Sequence, residues 1–172
     1  EKLHILNQGK AGFFEPGLDQ ALAEELASGR LKFQSEHDQL SAEADIHFLC
    51  VGTPQVEGEL RADTSYLFSA IEDLGSVLKE KSVVVGKSTV PVGTALALRN
   101  RLSELAGFSA ELVWNPEFLR EGFAVEDTLR PNRLVVGVTS DRAEEILKEA
   151  YAVNLKEGTP WVRANLPTAE LV

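Results

Sequence analysis

Residues 82–106 read SVVVGKSTVPVGTALALRNRLSELA. A β-branched apolar run, Ser82 to Gly86, passes through a proline-stiffened polar turn, Lys87 to Gly93, into a stretch from Thr94 to Ala106 whose apolar residues recur with helical period. A strand feeding a helix in this way is half of a βαβ unit. The same order repeats along the chain. Strands are expected at Leu31 to Phe33, Asp45 to Val51, Ser82 to Gly86, Leu112 to Trp114, Leu134 to Val138 and Trp161 to Val162. Helices are expected near Glu15 to Ser28, Ser65 to Glu80, Thr94 to Ala106 and Asp141 to Ala152. Repeated β-then-α order implies a mostly parallel, Rossmann-like α/β sheet with helices on both faces and right-handed crossovers.

Helix boundaries have local chemistry behind them. Ser28-Gly29 reads as a glycine stop, Asp63 or Thr64 can cap the second helix, Thr94 the third and Ser140-Asp141 the last. Val56 to Asp63 reads as a surface loop, and no repeat or long linker divides the chain, so residues 1–172 are expected to form one domain. Both ends look truncated. The first residues, Glu1 to Gly9, are helix-like, and Ala169 to Val172 reads as the first turn of an unfinished helix.

The 172 residues can bury one substantial core, and 44% hydrophobic with 26% charged residues is the composition of an ordinary soluble globular domain. No apolar run approaches the roughly 20 residues that span a bilayer, and no signal peptide opens the chain. A cytoplasmic protein without a membrane partner is expected. The formal charge of −10 argues against nucleic acid. Cys50 is the sole cysteine, so no intrachain disulfide forms, and His4, His37 and His47 have no zinc-ligand spacing, so no metal is expected. Cys50 itself reads as an apolar filler in a buried strand.

Ligands of open parallel sheets bind beyond the carboxyl ends of the strands, near the point where strand order reverses. Three segments occupy such ends. Gly52-Thr53-Pro54 follows the second expected strand: glycine permits close approach of a ligand, Thr53 offers a hydroxyl and Pro54 stiffens the exit. A plain turn explains these letters taken alone. In Lys87 to Thr94, the hydroxyls of Ser88 and Thr89 can orient a water or a ribose, and a solvated loop explains them about equally well.

The third segment, residues 115–137, reads NPEFLREGFAVEDTLRPNRLVVG. Asn115 suits an N-cap and Pro116 a first helical position. If helical turns follow, Glu117 and Glu121 share a face at i,i+4 and Gly122 ends the turn. A shielded carboxylate there can act as a general base on water, whereas two solvent-facing glutamates are the plainer reading. Arg130 and Arg133 can pair with Glu126 or Asp127, or meet a phosphate.

Together, Gly52-Thr53-Pro54, Lys87 to Thr94 and Asn115 to Gly137 resemble the UDP-glucose dehydrogenase family, within the larger group of nucleotide-sugar 6-dehydrogenases. Asn7 to Lys10 and Phe14 to Leu18 resemble the segment after that family's second strand. The likeness covers nearly the whole chain in the family's order. It implies two-step oxidation of the C6 hydroxyl of a UDP-sugar by two NAD+, through an aldehyde and an enzyme thioester that water hydrolyses. By position it implies cofactor contacts from Thr53, Pro54, Ser88, Thr89, Val90 and Glu121. It implies a water-holding role for Thr89, acid/base work for Glu117, and substrate contacts from Glu117, Phe118, Leu119, Arg120 and Glu121.

The family's glycine-rich β-α-β unit, catalytic lysine, nucleophilic cysteine, central dimerisation helix and second nucleotide-binding domain have no counterpart here, and Cys50 does not match the nucleophile. The resemblance therefore implies part of an NAD-binding domain, inactive alone, from a homodimeric or larger enzyme acting on UDP-glucose. GDP-mannose or another nucleotide-sugar is the near alternative as substrate. A non-catalytic nucleotide-binding remnant is the alternative of a different class.

Overall fold

The computed structural model describes residues 1–35 and 43–172. It divides into two compact units, Glu1–Glu36 with Phe118–Asn132, and His37–Glu117 with Arg133–Val172.

The second unit holds the sheet: β1 (Ile46–Leu49), β2 (Val83–Gly86), β3 (Glu111–Trp114), β4 (Leu134–Gly137) and β5 (Trp161–Ala164), in that spatial order. β1, β2 and β3 run parallel, as do β4 and β5, while β3 meets β4 antiparallel through the single pair Trp114 and Gly137. The expected mostly parallel α/β architecture is therefore present. Two details differ. Leu31 to Phe33 form no strand: Leu31 and Phe33 are only half-buried and Lys32 is exposed, so the short apolar run has no sheet face to fill. Strand order among the described strands is consecutive and never reverses, so the site cannot be placed by a reversal.

Both sheet faces are covered, and strand alternation decides which residue goes where. Val84, Leu112, Trp114 and Val135 pack under helices α3 (Ser65–Gly75), α4 (Thr94–Ala106) and α8 (Leu166–Leu171). Val83, Val85, Val113, Leu134 and Val136 pack under α6 (Asp141–Ala150), with Tyr151 and Leu155 at its margin. Trp114 is fully buried, and a Cβ on Gly86 would lie 2.0 Å from its ring. Glycine at the end of β2 is thus a condition of the tryptophan's packing.

Several boundaries shift for local reasons. α3 ends at Gly75 rather than near Glu80, yet Leu78 beyond it still reaches the core. The last expected helix breaks at Tyr151, between α6 and α7 (Ala152–Lys156). Ser140 caps α6 as expected, accepting from the Ala143 amide at 3.1 Å. At α3 Thr64 makes no capping bond, and Asp63 Oδ1 accepts from the Ser65 amide instead. The terminal turn expected at Ala169 belongs to α8, capped by Asn165.

The first unit holds α1 (Lys2–Leu6), α2 (Leu18–Ser28) and α5 (Ala124–Leu129). Gly29 terminates α2 in the left-handed region at φ 75°, as expected of that stop. Glu15 joins the unit's two chain segments: its carboxylate accepts from the amides of Gly122 at 2.8 Å and Ala124 at 2.9 Å, at the start of α5.

Candidate functional site at the carboxyl ends of β1, β2 and β3

Parallel pairing sets Leu49 beside Gly86 and Gly86 beside Trp114, so the chain leaves all three strands at one edge. Gly52, Thr53 and Pro54 follow β1, Lys87 to Gly93 follow β2, and Asn115 to Glu117 follow β3. The sheet therefore brings the expected segments of the second unit together.

The hydroxyls tie the first two segments to each other. Thr53 Oγ1 donates to the Thr89 carbonyl at 2.8 Å, and Ser88 Oγ donates to the Val51 carbonyl at 2.6 Å. Their donor capacity is spent on the protein, leaving lone pairs as the acceptors they can offer a ligand. Thr89 is exposed, whereas Val90 is 6% exposed and packs in the core beside Leu49 and Ala95, so little of it is open to contact. Gly52 has neither a left-handed backbone nor a neighbour that a Cβ would meet within 4 Å. Nothing in the fold of the described residues demands glycine there, which fits a position kept bare for a ligand.

The third segment departs from expectation. No helix spans Glu117 and Glu121; residues 115 to 120 are irregular and α5 begins only at Ala124, so the i,i+4 face does not form. Asn115 is not a helix cap. It is fully buried, its Nδ2 donates to the Val135 carbonyl at 2.8 Å, and its Oδ1 accepts from Tyr151 Oη at 2.7 Å and Lys87 Nζ at 3.1 Å. Pro116 has no amide hydrogen with which to extend the short β3–β4 ladder, and the Asn115 side chain supplies a bond to β4 in its place. The Asn115 amide donates to Gly86 O at 2.9 Å and the Glu117 amide to Lys87 O at 3.3 Å, holding the exposed Glu117 beside the β2 segment.

Phe118, Leu119, Arg120 and Glu121 belong to the first unit, and all four are exposed. Arg120 is engaged by Asp127, with its Nη2 2.7 Å from Oδ1. The hydrogen-bonded pair raises the arginine and holds the aspartic acid below the usual carboxylate range. Of the pairings open to Asp127, the structure shows one with Arg120, whose guanidinium also lies 4.9 Å from the Phe123 ring centre.

Several residues that shape this site have no motif to announce them. Lys87 is in phase with Val83 and Val85, so alternation already directs it toward the α6 face; that was the available signal. Its Nζ also donates to Tyr151 Oη at 3.3 Å, and desolvation lowers its pKa. Desolvation pushes the Tyr151 hydroxyl up to about 12. Cys50 is exposed rather than buried, because β1 ends at Leu49, although partial desolvation raises its thiol. Glu170 is 7% exposed and accepts from the amides of Gly93 at 2.7 Å and Ala95 at 2.5 Å. The N-terminus of α4 is therefore capped by a carboxylate remote in sequence, while Thr94 donates to Pro91 O.

Residues 1–154 match the UDP-glucose/GDP-mannose dehydrogenase family, NAD binding domain. UDP-glucose 6-dehydrogenase of Rhizobium meliloti (strain 1021) is 40% identical over 174 residues, covering 99% of this chain and 40% of that protein. The solved UDP-glucose dehydrogenase of Pyrobaculum islandicum superposes with a TM-score of 0.90 at 36% identity, covering 98% of this chain and 39% of that one. The ternary complex of GDP-mannose dehydrogenase from Pseudomonas aeruginosa gives 0.89 at 30% identity, covering 99% and 40%. The chain thus spans about two fifths of the length of the UDP-glucose 6-dehydrogenases of R. meliloti and Rickettsia felis.

Proposed function

The chain belongs to the UDP-glucose/GDP-mannose dehydrogenase family, and from that membership we propose that it is most of the NAD-binding domain of an enzyme oxidising UDP-glucose to UDP-glucuronate. The observation carrying this reading is the lacing of Thr53 to Thr89 and of Ser88 to Val51. It joins the two segments into one continuous platform, and Glu117 is attached to it through Lys87. A continuous, partly bare platform at the strand ends suits a dinucleotide.

NAD+, the family's cofactor, supplies a hydride acceptor. Thr53, Pro54, Ser88 and Thr89, with the main chain of Val90, would hold it, and Gly52 leaves it room. Phe118 to Glu121 would contact the sugar nucleotide, and Glu121 the cofactor as well. The chain's own chemistry falls to Glu117. With the C6 carbon oxidised to a thioester on a cysteine outside this chain, Thr89 would hold a water and the Glu117 carboxylate would take one of its protons. The water oxygen bonds to the acyl carbon, the carbon–sulfur bond breaks and the sulfur leaves as thiolate. Cys50 does not match the family's nucleophile, so the chain alone should be inactive.

The P. aeruginosa GDP-mannose dehydrogenase superposes almost as well as the P. islandicum UDP-glucose dehydrogenase, so the fold alone does not choose the sugar. Higher identity to the latter favours UDP-glucose. The test is NADH formation by the full-length protein on a panel of UDP-glucose, GDP-mannose and UDP-N-acetyl sugars. Preference for UDP-glucose is expected. Preference for GDP-mannose overturns the substrate, and NAD+ binding without turnover on any of them overturns the activity.

A further inference from the structure

Alternation along β2 and β3 sends Lys87 and Asn115 to the same face of the sheet, where Tyr151 stands at the junction of α6 and α7. The three side chains close a triangle: Lys87 Nζ lies 3.1 Å from Asn115 Oδ1 and 3.3 Å from Tyr151 Oη, and Tyr151 Oη lies 2.7 Å from Asn115 Oδ1. The ammonium also sits 5.8 Å from the Tyr151 ring centre, and that ring meets Phe48 of β1 edge-on at 6.4 Å. Elements from all three strand ends and the far end of α6 thus converge on one partly buried cation.

For holding strands together a lysine is a poor choice. Removing an ammonium from water opposes its charge, and an apolar side chain of similar volume in such a place is often neutral or stabilising. Yet Lys87 is bound to what lies on either side of it in the site. Its main chain continues into Ser88 and Thr89, its carbonyl accepts from the Glu117 amide at 3.3 Å, and its ammonium fixes the side chain of Asn115, two residues before Glu117. Burial lowers the pKa of its ammonium, and the Glu117 carboxylate acts against that shift.

Resting on the reading of Glu117 as the hydrolytic base, we propose that Lys87 is a positioning residue for Glu117: held by Asn115 and Tyr151, its ammonium fixes the Asn115–Glu117 segment against the Ser88–Thr89 loop. It touches neither sugar nor cofactor. Its loss should slow hydrolysis of the thioester without loosening NAD+, because misplacing a catalytic group by a fraction of its reach costs rate rather than binding.

The experiment uses the full-length protein with Lys87→Met, Lys87→Arg, Tyr151→Phe and Glu117→Gln. Melting temperature, kcat, KM for NAD+, and intact mass after mixing with UDP-glucose and NAD+ are measured for each. Lys87→Met should stay folded, lose kcat by about ten- to a hundredfold, keep KM for NAD+ within about threefold and accumulate the covalent sugar adduct, as Glu117→Gln does. Lys87→Arg, which keeps the charge, should recover part of the rate, and Tyr151→Phe should lose less than Lys87→Met. An unchanged kcat in Lys87→Met, or a fall in kcat matched by a rise in KM with no adduct, overturns the inference. Should Lys87→Met not fold, Lys87→Arg and Tyr151→Phe decide it by the same adduct. If Glu117→Gln gathers no adduct, the reading of Glu117 fails and takes this inference with it. If Glu117→Gln gathers it and the folded Lys87 and Tyr151 variants do not, the inference alone fails.

Discussion

The Thr53 hydroxyl donates to the main-chain carbonyl of Thr89 at 2.8 Å, so the segment after β1 and the segment after β2 share a bond across 36 residues of sequence. Thr53→Val keeps the shape and removes the donor. It should cost about 1 kcal/mol of stability and weaken NAD+ more than it weakens the fold, because the freed loop must be ordered on binding. Calorimetric titration with NAD+ beside a urea melt checks this, and unchanged NAD+ affinity in a measurably destabilised variant would sink it.

Glu170 caps the N-terminus of α4 through the amides of Gly93 and Ala95, and it is nearly buried. Glu170→Ala should destabilise by about 2 kcal/mol, from the lost cap and two amides left without partners. Glu170→Gln, with one acceptor oxygen and no charge to set against the helix dipole, should fall between. Urea unfolding gives the order. Faster hydrogen exchange at Gly93 and Ala95 in both variants gives the location.

Gly86→Ala places a methyl 2.0 Å from the Trp114 ring, with both groups fixed in the central strands. Overpacking there should cost about 3 kcal/mol. Trp114→Leu made in the same chain should recover part of that loss, which a double-mutant cycle measures.

Tyr151 carries a hydroxyl pushed up to about 12 by desolvation. The folded protein keeps its proton where the unfolded chain, near an ordinary value of about 10, has lost it. Stability from this group is therefore complete below the unfolded value and declines as pH rises through that value toward about 12. In a Tyr66→Phe background of these 172 residues Tyr151 is the remaining tyrosine, and its ultraviolet titration should rise only around 12. A rise near 10 would contradict its desolvation and its bond to Asn115.

The architecture was legible because β-branched runs and helical periodicity are local signals that the packing obeyed, as Val83 to Val85 and Thr94 to Ala106 illustrate. The same signal misled at Leu31 to Phe33, where three residues hold no evidence of whether a neighbouring strand exists. Asn115-Pro116 carries the letters of a helix start, yet the asparagine answers to Val135, Lys87 and Tyr151, none of them within ten residues. Glu15 and Glu170 cap helices from 109 and 75 residues away, measured to Ala124 and Ala95. Such side-chain partners are set by the tertiary fold, and a motif cannot carry them. The motifs did indicate which strand ends to compare, and the sheet sets three of them side by side.

The central claim is that Glu117 serves the last step of a nucleotide-sugar oxidation. Full-length Glu117→Gln mixed with UDP-glucose and excess NAD+ tests it most directly, by NADH formed in the first turnover together with intact mass. The account predicts a burst approaching about two NADH per active site, then a stall with the oxidised sugar covalently attached. Steady NADH production at the wild-type rate, with no covalent adduct, would contradict it.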